Sequence, residues 1–459
     1  MARRSHVLAL ALAALIPATA VAAPPSGQIA QQCAPAGSQA AFACYGADVV
    51  TRDAQAYAQP DRFEPAIQEY EHSWTHRAVA LQYELANDVG FTNAPWLGTH
   101  NSFNSIAEEG PSLSDTDANQ QLTLTDQLRL DMRSLEIDVH WFPSWRANGA
   151  NAPVVCHAGA ASDHDGCSTE RLLGPVLDEL AVWLRAHRDQ ALLLYVEEHL
   201  AGGYDTAAAA IQKSLGSLVY RTGSAGGACI ELPKTLTRDA VLRSGAQVVI
   251  VSGCGAGSAW RSQAFSWRDH AEETPHGFRP FPDCGPNFKR TDYDTKLVRY
   301  FEDSTWLSSG ASQVGGSEGD GITPTTAGGL VRCGVDLLGF DQLVPGDGRL
   351  DAIVWSWATD EPSSGSCALI GADSRWRSSG CKRRLPAACR ASDGRWLLSE
   401  RAVAPKNATA ACAAAGGVFA VPRTGYENES LALVTHGTAA WLGYARTSGG
   451  WSPSDARRA

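Results

Sequence analysis

The sequence predicts an α/β protein: an irregular TIM (β/α)8 barrel followed by a small disulfide-rich C-terminal domain. Three observations carry this reading. Short apolar strands alternate with amphipathic helices from about residue 94 to about 343, the pattern of a mostly parallel sheet. Polar residues recur where several of those strands end, as they do at the working face of a barrel. After Gly348 the composition shifts to Trp, Cys, Ser and Arg, and the alternation stops.

Taken in order, Arg3 and Arg4 precede an apolar run from Val7 to Ile16 and the small residues Ala20-Val21-Ala22. This pattern predicts a secretory signal peptide over 1–22 and an extracellular protein. The 12 cysteines are an even number, which in an oxidising compartment implies disulfides. Short loops suggest Cys33 with Cys44 and Cys156 with Cys167, whereas Cys229, Cys254, Cys284 and Cys333 admit three pairings. Residues 23–90 form a lead-in, helical over about 61–88 through the spacing of Ile67, Trp74, Ala78, Leu81 and Leu85.

The barrel is placed at 91–346. Its expected strands are Pro95–Thr99, Ser134–His140, Val154–His157, Leu192–Glu197, Gln247–Ser252 and Val335–Asp341, with helices over Glu170–His187 and Thr206–Leu218. The Gly- and Ser-rich stretch 255–330 shows no legible strands. The net charge of −11 gives no general attraction to nucleic acid or anionic lipid. No transmembrane segment is expected, because no later stretch holds ~18 uncharged apolar residues.

The chemistry gathers at four strand ends: Gly98-Thr99-His100-Asn101, Leu135-Glu136-Ile137-Asp138, Val155-Cys156-His157 and Tyr195-Val196-Glu197-Glu198. Glu136 and Asp138 share one face of a strand, since side chains alternate. Two carboxylates on one face repel unless a cation or a proton joins them. Asn101 and Glu197 can complete an oxygen-rich set that suits Ca²⁺ or Mg²⁺ better than Zn²⁺.

This order of His-Asn, Glu-x-Asp, His and Glu resembles the catalytic half of phosphatidylinositol-specific phospholipase C and the wider superfamily of PLC-like phosphodiesterases. The stretch from Gln127 to Glu136 resembles the approach to that family's second strand. The resemblance implies that His100 stabilises charge on phosphorus and that His157 protonates the leaving oxygen. It implies that Asn101, Glu136, Asp138 and Glu197 hold Ca²⁺, with Glu136 also serving as base towards a substrate hydroxyl. The substrate would be a phosphodiester, with a phospholipid first in line. In that family an inositol hydroxyl attacks phosphorus and forms a cyclic phosphodiester. Two other functions compete: a phosphodiesterase for other glycerophospho-substrates, and a non-catalytic binding protein on the same barrel.

Structural readings compete at single residues. Glu136 and Asp138 can pair with Arg129 and Arg133. His140 packs on Trp141 or supports the carboxylates. Asp341 orients a histidine or caps a loop. Glu302-Asp303 is expected at a solvated helix end. Residues 350–459 resemble a C-type lectin-like domain with its halves reversed, through Trp355-Ser356-Trp357, Glu361-Pro362, Cys367, Cys381 and Cys389, then Cys412 and Trp441-Leu442-Gly443. That resemblance implies the bridges Cys367–Cys381 and Cys389–Cys412. Ser363 and Trp376-Arg377-Ser378 stand where that fold keeps cation ligands, so the expectation is a structural role, or docking of a glycan or protein partner, rather than a Ca²⁺-dependent sugar site. Asn407-Ala408-Thr409 and Asn428-Glu429-Ser430 match the glycosylation pattern.

Overall fold

The computed structural model describes residues 60–91, 93–109, 118–156, 167, 170–224, 227–266, 270–273, 279–285, 297–302, 322–335 and 337–454. The leader, Cys33, Cys44 and His157 lie outside these residues. The main sheet is built from β1 (Trp96–Thr99), β2 (Ser134–Ser144), β3 (Ala150–Val155), β4 (Leu192–His199), β5 (Val248–Ser252), β6 (Ala264–Ser266), β7 (His270–Glu273), β8 (Leu297–Phe301) and β9 (Leu337–Phe340). Eight of them run parallel in the order β6-β5-β4-β2-β1-β9-β8-β7, a curled sheet with helices on its outer side. Among the described residues no pairing joins β6 to β7.

One strand departs from the sequence expectation. Val154–His157 was expected to end a parallel barrel strand. Instead β3 pairs antiparallel with the far half of β2, with Val139 opposite Val155 and Ser144 opposite Ala150. The apolar run ending in a histidine reads the same in either direction, and only the tight turn at Asn148-Gly149, both at positive φ, marks a hairpin. The disulfide Cys156–Cys167 closes the chain just beyond it.

Alternation along the strands sorts the core into two layers. Leu135, Ile137 and Val139 of β2 and Leu192, Leu194 and Val196 of β4 face the helices. Trp96, Leu193, Val249, Val251, Phe265 and Leu337 fill the inside of the sheet. A parallel sheet buried on both sides needs both sets. Helix Leu173–Ala186 covers the outer face with Val176, Leu177, Leu180 and Leu184. Arg238 closes the N-terminal end. It donates to the Pro95 and Tyr83 carbonyls at 2.8 and 3.2 Å, and its guanidinium lies 4.9 Å from the Tyr83 and Trp96 rings.

The cysteines pair as Cys229–Cys254, Cys284–Cys333, Cys367–Cys381 and Cys389–Cys412, besides Cys156–Cys167. Beyond β9, strands Cys367–Ile370, Trp376–Ser379, Ala440–Thr447 and Gly450–Pro453 form one antiparallel sheet. Ala388–Ala391, Trp396–Leu398 and Gly417–Phe419 form another. Glu361 spends its carboxylate on the Ser363 and Ser378 backbone N–H groups, at 2.7 and 3.0 Å. Asn428 is fully buried and accepts from the Trp376 indole at 2.7 Å, which removes it as a glycan acceptor in the folded chain.

Helix Trp74–Leu85, capped by Ser73, wedges between the sheet and the C-terminal part. The amide oxygen of Gln82 accepts from the Trp355 and Ser356 backbone and from the Ser356 hydroxyl at 2.8, 3.1 and 3.0 Å. On its other side, His76 Nδ1 meets the buried Asp131 at 2.8 Å, and Asp131 also accepts from the Tyr70 hydroxyl at 2.8 Å. The hydrogen bond to Asp131 raises the His76 pKa above the ordinary imidazole value, against the effect of burial. A raised folded pKa means that this pair stabilises fully below the unfolded value of about 6.5 and that the gain is lost as pH climbs through the folded value. The stability lost in His76→Gln should therefore be about 1 kcal/mol below about pH 6 and shrink as the pH climbs through the folded value, as read by chemical denaturation.

Candidate functional site

The inside of the sheet turns polar at its C-terminal end. Gly98 pairs with Ser134, and Ser134 pairs with Leu193. Two residues on, Glu136 lies beside Tyr195, and two further, Asp138 lies beside Glu197. In a parallel pair, residues in register point to the same side, so the period of two carries Glu136, Asp138 and Glu197 to one face. One oxygen of each lies within 4.8 Å of the others. Glu136 and Asp138 are buried, while the Glu197 side chain is 46% exposed, so the cluster opens to solvent on the β4 side.

The alternative partners of these carboxylates are engaged elsewhere. Arg129 binds Glu64, Glu71 and Asp126, and Arg133 donates to Gln190, Leu128 and Met132. Glu198 points the other way, to the Ser252 hydroxyl and the Gly253 N–H. The His140 ring stacks on His199 at 4.3 Å, and His199 Nε2 meets Glu197 at 3.1 Å. His140 also lies near Cys156 and Cys167, but those sulfurs are bonded to each other.

The chain leaving β1 bends sharply at Asn101, φ +41°, a conformation asparagine tolerates better than most residues. The Asn101 backbone N–H points to Glu136 Oε2 at 3.4 Å, and the Ser102 hydroxyl accepts from the Glu136 N–H at 2.8 Å. Gln127 ties the bend from below, accepting from Thr99 at 2.6 Å and donating to the Ser102 carbonyl at 2.8 Å. The Asn101 amide nitrogen donates to Asn119 at 3.2 Å, which leaves Oδ1 as the atom suited to a cation. The three carboxylates, with oxygens within 4.8 Å of one another, are hard-oxygen donors of the type that suits Ca²⁺ or Mg²⁺.

His100 is nearly buried, with Nδ1 at 3.2 and 3.3 Å from the Asp341 carboxylate oxygens. Asp341 thus orients the imidazole. Asn119 and Gln120 hold the same carboxylate at 3.2 and 3.3 Å, and Gln120 also donates to the His100 carbonyl at 2.7 Å. Glu302 corrects the sequence expectation of a solvated helix end. It follows β8, is 1% exposed, and accepts from the Asp341 and Ile322 N–H groups at 2.7 and 2.6 Å. Arg349, fully buried, contacts Glu302 as well as Asp347 and the Asp341 carbonyl. Burial pushes the Glu302 carboxyl up to about 7, with Arg349 opposing and Asp341 adding to the rise.

The structure therefore gathers His100, Asn101, Glu136, Asp138 and Glu197 at one mouth, while His157 lies outside the described residues. Asn119, Gln120 and Arg349 escape sequence reasoning, since no local pattern marks them.

A family model described as the Rv2075c PI-PLC-like domain matches residues 62–347. The uncharacterised protein Rv2075c of Mycobacterium tuberculosis is 40% identical over 394 residues, 82% of this chain and 80% of that protein. Two solved structures align at low similarity. The phosphatidylinositol-specific phospholipase C of Listeria monocytogenes has 14% identity and a TM-score of 0.36, covering 58% of this chain and 94% of that one. A calcium-dependent phosphoinositol-specific phospholipase C from a Pseudomonas species has 12% identity and a TM-score of 0.33, covering 58% of this chain and 95% of that one.

Mutual repulsion in the carboxylate cluster has a measurable consequence. In chelator at neutral pH, Asp138→Asn should be more stable than the parent by on the order of 1 kcal/mol. Adding Ca²⁺ should raise the denaturation midpoint of the parent and move the variant much less.

Proposed function

The chain belongs to the family of the Rv2075c PI-PLC-like domain, and from that premise we propose that it is a secreted, metal-dependent phosphodiesterase of phospholipase C type. The observation that carries this reading is the convergence of three carboxylates with His100 at the mouth of the parallel sheet. Export is supported by the leader-like first 22 residues and by the bonding of every described cysteine. Among the described residues no helix is long and apolar enough to cross a membrane.

Each residue then has a task. Asn101, Glu136, Asp138 and Glu197 would hold the divalent cation. When bound, that ion supplies positive charge to the phosphoryl oxygens and lowers the pKa of a nearby hydroxyl. Glu136 accepts the proton of the attacking hydroxyl. His100, kept in one orientation by Asp341, presents its Nε2 side to the phosphoryl group and steadies the charge that grows there. His157 donates a proton to the leaving oxygen, a task suited to an imidazole titrating near neutral pH. A phospholipid is the first substrate class to test. The C-terminal sheets, on their lectin-like resemblance, are proposed to dock a glycan or protein partner.

The deciding experiment is a panel of phosphodiesters, phosphatidylinositol included, assayed with Ca²⁺ and with chelator. Cleavage of at least one diester that disappears in chelator is expected; full activity in chelator would overturn the metal assignment. His157→Ala should lose ~10²-fold or more in turnover on a natural leaving group. It should recover part of that loss with nitrophenolate, which needs no proton, whereas His100→Ala should not.

A further inference from the structure

We propose that Arg349 and Glu302 are positioning residues for His100, acting through Asp341; the inference rests on the phosphodiesterase reading of the same site. Asp341 stands one residue past the end of β9, where ladder pairing no longer holds the backbone. Its backbone is clamped on both sides instead. The Asp341 N–H donates to Glu302 Oε2 at 2.7 Å, and the Asp341 carbonyl accepts from Arg349 Nη2 at 2.9 Å. Glu302 and Arg349 also bind each other, so the two jaws of the clamp form one unit.

The clamp is itself fixed. Arg349 Nε and Nη2 reach Asp347 Oδ2 at 2.9 and 2.6 Å, and Asp347 Oδ1 accepts from the Arg349 backbone N–H at 2.8 Å. The guanidinium lies 5.0 Å from the centre of the Phe340 ring. All of this is out of water, with Arg349 0% and Glu302 1% exposed. A buried ion pair is a weak source of stability, because desolvation offsets much of its Coulomb energy. What a planar five-donor group supplies is geometry, which the single point charge of a lysine does not reproduce. The pair therefore sets where the Asp341 carboxylate sits, and that carboxylate sets the His100 ring.

Arg349 belongs to helix Gly348–Ala352, which opens the C-terminal part of the chain. The catalytic mouth thus depends on a residue outside the parallel sheet. His100 and Arg349 are separated by nearly the whole length of the barrel sequence, yet Asp341 bridges them, its carboxylate to His100 and its carbonyl to Arg349.

The test uses the full chain and the variants Arg349→Lys, Glu302→Gln, Asp341→Asn and the double variant Arg349→Lys/Asp341→Asn. Near-UV circular dichroism establishes that each is folded. Turnover is read on a nitrophenyl phosphodiester. The ring ¹⁵N shifts of His100, read at one pH, report the Asp341 contact without any need for activity. Arg349→Lys should lower kcat about 10-fold with KM within about 2-fold, as for a misplaced catalytic group. In the Asp341→Asn background the same change should cost less than about 2-fold, because its effect passes through Asp341. The ring shifts in Arg349→Lys should move towards those of Asp341→Asn. Additive losses, or unmoved ring shifts, would refute the proposal. If Arg349→Lys does not fold, Glu302→Gln carries the same comparison. An inactive parent would count against the phosphodiesterase reading alone, since the ring shifts still decide the positioning claim.

Discussion

The parallel register of β2 against β4 is the constraint from which the site follows. It sets Asp138 beside Glu197 and Glu136 two residues behind, all on the inner face. A slip of one residue would turn these carboxylates towards the helices and bring Leu135, Ile137 and Val139 inward. The apolar outer face prevents that slip. The same residues that pack helix Leu173–Ala186 therefore hold like charges together that would otherwise separate. Chemistry at the mouth is bought with hydrophobic contacts on the other side of the strand.

Around this register the histidine side of the mouth is built differently. His100 sits past the end of β1 and Asp341 past the end of β9, where the ladder gives no support. Side chains take over: Gln127 and Ser102 under the Asn101 bend, Asn119 and Gln120 beside Asp341, and the Glu302–Arg349 pair behind it. Polar groups this deeply buried must be satisfied by one another.

Much of this was legible in the sequence, and the failures have physical causes. Strands β1, β2, β4, β5 and β9 stood out because each is an apolar run that gives way to polar residues. The shared face of Glu136 and Asp138 followed from a period of two, whereas the choice of Glu197 over Glu198 came from the family resemblance. The hairpin strand β3 was misread because side-chain alternation carries no direction. Strands β6, β7 and β8 span three to five residues, too few for a period to declare itself in a Gly- and Ser-rich stretch. Glu302 was misjudged because its partner Arg349 is 47 residues away, and burial of a charge is written in tertiary contacts. The bridges Cys367–Cys381 and Cys389–Cys412 came from resemblance alone, and the structure contains both.

The wedge formed by helix Trp74–Leu85 and the Arg349 clamp bears on how this protein can be cut. The stretch matched by the family model ends at residue 347, an inviting place to stop a recombinant fragment. Such a fragment would keep Glu302 in its apolar setting and discard its cation. Gln82 would lose the Trp355 and Ser356 groups that its amide serves, and the apolar cluster shared with Trp355, Trp357 and Trp376 would face water. A truncation drawn by sequence similarity would thus sever the molecule through its interior. An expression boundary beyond Pro453, where the last strand ends, respects the seam that the packing defines.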